Sequence, residues 1–353
     1  MALTKTFFID SCDHYDQDDY IYVKWTNQAF AKSTPNGRNG RGINLTQGGG
    51  YVAKTLTHQS EWVVGWAINI QAGTGTGASS IYNLNSTNSG ICGLTLFSDW
   101  TLGLYSGNNL IAASAFSLHP HTWYYIELKI LLSFGGSGGA NVSTQMTCRV
   151  NGAIVANGGP TDSGVPISTL IIQSATANYH LFSCPNILGN TLIDDIYIYP
   201  LDAGGYYTDF LGDLKILVVF PNGDVLTQWT PSVGTQHFPL VNSQFAENSP
   251  GFIFTNTPSD ADNFTWQPIP AFVGQIILVH YGALAKKDDE GTRQFQLTVG
   301  AGGGETSNTI SPLVNPGDTY VYYFFGMDVD PGTSSQWTQS GFNGTDFGIK
   351  EII

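Results

Sequence analysis

The stretch Trp123-Tyr124-Tyr125-Ile126-Glu127-Leu128-Lys129, followed by Cys148-Arg149-Val150-Asn151-Gly152-Ala153-Ile154-Val155, decides the fold class. Both segments are rich in β-branched and aromatic residues, which fit a pleated, half-buried surface. Asn151-Gly152 is a strong hairpin signal, because a tight two-residue turn needs positive φ at both central positions. The same grammar runs outward from this hairpin. Upstream lie Phe7-Phe8-Ile9-Asp10, the core-type run Glu61 to Ile70, and Gly93 to Phe97. Leu102 to Tyr105 and Leu110 to Ala113 follow, separated by the turn at Gly107-Asn108-Asn109. Downstream comes Leu192-Ile193-Asp194-Asp195-Ile196-Tyr197-Ile198-Tyr199, and a glycine-rich turn spans Gly135 to Gly139. No long segment keeps a helical period. The expectation is an all-β protein of antiparallel sandwiches.

Composition supports that class and excludes others. Charged residues are 11% of the 353, against roughly 25% in an ordinary soluble domain. Glycine is abundant at 42 residues, and aromatics reach 13%, so strands and turns are well supplied. The 13 basic residues are scattered within a net charge of −14. Nucleic acid is therefore not an expected partner, since phosphate contacts need clustered Lys and Arg. An acidic surface disfavours anionic membranes, and the apolar runs Leu214 to Phe220 and Ile276 to Val279 are too short to span a bilayer. Met1 to Lys5 leads straight into a strand without a signal-peptide pattern, which predicts synthesis in a cytoplasm. Cys12, Cys92, Cys148 and Cys184 form no C-x-x-C pair and read as buried, reduced thiols.

The strand pattern breaks at Pro200-Leu201-Asp202-Ala203-Gly204-Gly205 and resumes at Gly212-Asp213-Leu214. This predicts two β-sandwich domains, 1–205 and 212–353. Within the second, Gln228-Trp229-Thr230-Pro231-Ser232 is echoed by Gln336-Trp337-Thr338-Gln339-Ser340, which reads as two similar turn-then-strand corners. Gly300-Ala301-Gly302-Gly303-Gly304 opens no helix and reads as a loop.

The order of these strand motifs resembles concanavalin A-like, laminin G-like jelly rolls. In those domains a W-Y-x-I-E-L strand precedes an R-V-N-G hairpin, and an I-D-D-I strand closes the domain. Pro221-Asn222-Gly223-Asp224, the Gln228 to Ser232 segment, His237, and Trp337-Thr338 leading to Phe347-Gly348-Ile349-Lys350 are similar to a pattern in virion proteins of tailed bacteriophages. The resemblance implies a non-enzymatic structural component of a bacteriophage virion, a capsid decoration protein or head fibre on the particle exterior. The alternative it implies is a tail-associated receptor-binding or carbohydrate-binding protein, with a polysaccharide depolymerase third. The implied partners are other virion proteins, a second and third copy in a homotrimer, and a host-surface glycan.

Candidate sites are sparse. Asp10, Asp13, Asp16, Asp18 and Asp19 form the densest acidic segment, and hard cations such as Ca²⁺ take six to eight oxygens. Asp10 and Asp13, joined by Asp195 or Asp194 from the closing strand, are the candidate calcium ligands. The competing reading is that these aspartates cap turns and blunt an edge strand. His119-Pro120-His121 resembles the H-x-H that cages iron on the axis of trimeric phage spikes, but its place before a strand reads as a polar turn. Trp100, Trp229, Trp266 and Trp337 lie near turns where a ring could stack on a sugar. The six glutamates, Glu61, Glu127, Glu247, Glu290, Glu305 and Glu351, are too dispersed for one strand to present the paired carboxylates of a glycosidase. No catalytic residue and no cofactor other than calcium is expected.

Overall fold

The computed structural model describes residues 7–46, 48–57, 59–71, 77–86, 89–134, 141–166, 178–184, 189–201, 206–242, 251–272, 274–300, 308–309 and 313–353. The turn at 135–139, the break at 202–205 and the loop at 301–304 lie outside them. The Trp123 segment becomes β11 (Trp123–Phe134), and β12 (Asn141–Val150) pairs with it through Glu127↔Arg149 and Ile130↔Met146. Asn151 and Gly152 both take positive φ, 49° and 82°, and turn the chain into β13 (Ala153–Pro166). On the other side of β11 runs β6 (Glu61–Ile70), and beyond it β15 (Thr191–Pro200). The sheet is completed by β4 (Gly42–Leu45) and β3 (Ala31–Thr34), with β1 (Phe8–Asp10) also paired to β15. Its order is β13-β12-β11-β6-β15-β4-β3.

A second sheet of seven strands packs against it. Its order is β10 (Asn109–Ser117), β9 (Thr101–Ser106), β8 (Ser89–Phe97), β7 (Ala78–Ser86), β14 (Asn178–Ser183), β5 (Tyr51–Leu56) and β2 (Asn27–Ala29). All strand pairings in both sheets are antiparallel. Period-two alternation sends one side of each strand inward. Trp66 of β6 meets Tyr82 of β7 and Phe182 of β14, with ring centroids 5.6 and 5.3 Å apart. Trp62 meets His180 edge-on at 4.6 Å. These rings carry the core between the sheets, where each buries a large apolar area.

Residues from Thr6 to Leu217 form this compact unit, and those from Val218 to Ile353 belong to the other. Residues 206–217 stay with the sandwich because they are bonded to it at several points, given below. The other unit holds β16 (Pro221–Thr227), β19 (Ala261–Trp266), β24 (Asp346–Glu351), β21 (Phe295–Gly300) and β22 (Asn308–Thr309) in one antiparallel sheet. Two strand pairs accompany it, β17 (Thr230–Pro231) with β18 (Ile253–Phe254) and β20 (Val279–Ala285) with β23 (Val321–Met327). Their core gathers Trp337, Phe347, Tyr281, Phe295 and Leu297, with Trp229 and Trp266 against it. The two Gln-Trp-Thr corners diverge. Thr230 enters a strand, whereas Thr338 caps a helical turn at Gln339–Asn343, its hydroxyl accepting from Gly341 N at 3.0 Å. The expected all-β architecture of antiparallel sandwiches is the observed one.

Candidate functional site

The sandwich has two outer faces, and they differ in chemistry. On the seven-stranded sheet, Cys92, Leu94, Leu104, His180 and Phe182 point inward and are buried. Their neighbours point outward: Asn83 and Asn85 from β7, Thr95 from β8, Tyr105 from β9, Tyr179 and Leu181 from β14, Tyr51 and Thr55 from β5. Register places Leu181, Asn83, Gly93 and Tyr105 in one row across four strands. A side chain at Gly93 would press on the Asn83 amide, 2.6 Å from its oxygen, so glycine leaves that amide room. Among the described residues this outer face carries no charged side chain. Lys54, the lone lysine on these strands, turns inward, where burial and Lys24 lower its pKa to about 8.

The face of the eight-stranded sheet is the opposite case. Tyr125, Glu127, Lys129, Arg149, Tyr197 and Tyr199 project from it, and residues 206–217 run over them. Gly212 N donates to Glu127 Oε1 at 2.8 Å, and Tyr197 OH donates to the same oxygen at 2.6 Å. Lys129 reaches Asp209 at 3.1 Å, Arg38 reaches both oxygens of Asp213, and Arg149 stacks on Phe210 at 3.9 Å. Burial, and then the neighbouring Tyr125 and Glu127, hold the Tyr197 hydroxyl protonated far above its ordinary pKa. This cover explains why β6 and β15 are buried on both sides. Glu127 was legible as a strand residue; its partners Tyr197 and Gly212, 70 and 85 positions away, were not.

The candidate calcium ligands are occupied by donors. Asp10 is fully buried and accepts from Tyr15 OH at 2.6 Å, Trp25 Nε1 at 2.8 Å, Cys12 N at 3.0 Å and Lys24 Nζ at 3.4 Å. Burial alone would raise its pKa, but Lys24, His14 and these donors together hold it below the ordinary value. The Lys24 ammonium thus supplies the positive charge at Asp10. Asp13 accepts from Arg41 N at 2.8 Å, and Asp195 from Asn39 Nδ2 at 2.6 Å and Ile216 N at 2.8 Å. Asp194 takes three backbone N–H groups, yet burial and Asp195 raise it to about 7. Asp13 is within electrostatic reach of both Asp10 and Asp195. Among the described residues no group of three or more His, Cys, Asp or Glu is placed to hold a metal ion.

His119 and His121 sit on an exposed turn, with His121 Nδ1 2.6 Å from Gln71 Oε1. Trp337 is buried in its core and Trp229 and Trp266 pack against it, which leaves half-buried Trp100 at its turn. The motif residues around His237 are joined by geometry: His237 Nδ1 lies 2.5 Å from Asp262 Oδ2, and Asp224 accepts from His237 N and Phe238 N. Asp262 also accepts from Gln228 N and Trp229 N, so this group pins the corner. The four cysteines are buried, and none of them is joined in a disulfide. Among the described residues no helix is long and apolar enough to cross a membrane.

No family model and no curated protein matches the chain. Solved structures do. The alginate lyase Aly36B matches at a TM-score of 0.41 and 10% identity, over 56% of this chain and 98% of that one. A Trypanosoma rangeli sialidase, solved as a covalent intermediate with 2,3-difluorosialic acid, matches at a TM-score of 0.34 and 12% identity. That match covers 50% of this chain but only 27% of the sialidase. At these identities the likeness is one of fold alone. The expectation of a non-enzymatic capsid decoration or head-fibre protein is corrected here: the solved structures matched are an alginate lyase and a sialidase, not virion proteins.

Proposed function

We propose that this protein recognises carbohydrate through the outer face of its seven-stranded sheet. The observation that carries the reading is the absence of charge among that face's described side chains, combined with the Tyr, Asn and Thr residues that occupy it. Amides and hydroxyls both donate and accept, as a neutral sugar's hydroxyls require. Tyrosine adds an apolar ring with a polar tip, suited to a ligand that is itself amphipathic. The rigid strands hold these groups in register, so little conformational entropy is lost on binding.

The test is a glycan array of neutral and acidic oligosaccharides, followed by titration of the best ligand. Tyr105→Ala and Asn83→Ala are expected to weaken binding about tenfold or more each, since each removes a contact worth about 1–2 kcal/mol. Assaying the same glycans for new reducing ends reads cleavage. Sedimentation showing this face buried between copies, with Tyr105→Ala dissociating them, would replace the reading by self-association.

A further inference from the structure

The covered face of the eight-stranded sheet holds polar groups that packing does not satisfy. Glu127 is 1% exposed, and its Oε2 has no hydrogen-bond partner among the described residues. Arg149 Nε is likewise buried without one. Native folds leave few such atoms, and each calls for an explanation. Arg38, Lys129 and Arg149, three of only 13 basic residues, stand around this face in a chain of net charge −14.

The segment over the face is held by hydrogen bonds, ion pairs and ring contacts, with little apolar burial. Residues 206–217 contain no helix or strand, and Ile216 is their one buried residue. Its charged anchors are Asp209 on Lys129 and Asp213 on Arg38, both partly in solvent. Ion pairs of that kind contribute little. Segments with few buried apolar contacts open at far lower cost than the sheet beneath them.

We propose that this face is a second ligand site, for an oligosaccharide bearing carboxylates, and that residues 206–217 are its built-in competitor. Asp209 and Asp213 stand where sugar carboxylates would pair with Lys129 and Arg38. The free Glu127 oxygen accepts from a sugar hydroxyl. One carboxylate per ring keeps negative charge off Glu127, whereas a dense polyphosphate would be driven against it. This site is separate from the neutral face and does not rest on it.

Hydrogen exchange on the full chain tests the proposal, with tetragalacturonate, a neutral galactose oligomer and tripolyphosphate as probes. Tetragalacturonate is expected to speed exchange at the Gly212 and Ile216 amides, and the other two to leave them unchanged. Asp209→Asn with Asp213→Asn, which alters two exposed side chains, is expected to tighten tetragalacturonate binding roughly tenfold. Lys129→Gln is expected to abolish the response, with Arg38→Gln as the second variant should the first misfold. Unchanged exchange at saturating tetragalacturonate overturns the proposal. So does an equal response to tripolyphosphate, or a double variant that binds no more tightly.

Discussion

Gly65 shows how one residue sets the covered face. It lies opposite both Glu127 and Tyr197, and a Cβ there would run into the Tyr197 ring. Only with glycine can the ring lie across β6 and deliver its hydroxyl to Glu127. Gly65→Ala is expected to cost about 1–3 kcal/mol through overpacking, measured by denaturant unfolding. Tyr197→Phe keeps the ring but takes one donor from a buried carboxylate, an expected loss of about 1–3 kcal/mol by the same assay. His180 gives a pH-dependent prediction. Burial lowers its pKa to about 3 from an ordinary 6.5, and Tyr82 OH bonds its Nδ1 at 2.8 Å. The folded state therefore favours the neutral ring. Its stabilisation is complete above about pH 6.5 and is lost as pH falls towards 3, by up to about 1.4 kcal/mol per pH unit. In His180→Gln the slope of stability between pH 6.5 and 4.5 is expected to be shallower than in the wild type.

At the scale of elements, the helical turn at Gln339–Asn343 rests on its cap. Thr338 has an extended backbone, φ −105° and ψ 158°, and its side chain accepts from Gly341 N. Thr338→Ala is expected to lower stability by about 1 kcal/mol, whereas Thr338→Ser should retain most of it, as thermal melts would show. The echo of the two Gln-Trp-Thr corners was legible in sequence, but their divergence was not. Pro231 keeps the first extended. The second corner carries Gln339-Ser340-Gly341 after its threonine and closes into a turn over Trp337 and Phe342.

For the whole molecule, the position of the unit boundary makes a prediction. Residues 206–217 supply donors to Glu127 and Asp195 and a ring to Arg149. A fragment of residues 6–217 is expected to unfold cooperatively, while one ending at 205 exposes those groups and melts at a lower temperature. Differential scanning calorimetry of the two fragments decides. Equal melting temperatures would mean that the covering segment adds nothing to the sandwich.

The sequence by itself determined the all-β class, the Asn151-Gly152 hairpin and the order of strands such as β6, β11, β12 and β15. These depend on local period, turn chemistry and β-branching, which neighbours in the chain carry. Only the tertiary structure decided which sheet face carries charged side chains and lies beneath residues 206–217. It also decided that Asp10 would be answered by Lys24, Tyr15 and Trp25, and that Glu127 would meet Tyr197. The physical reason is that a strand's alternation says which residues share a face. It does not say what lies across that face, because the partners arrive from distant segments through sheet register and the path of an irregular segment.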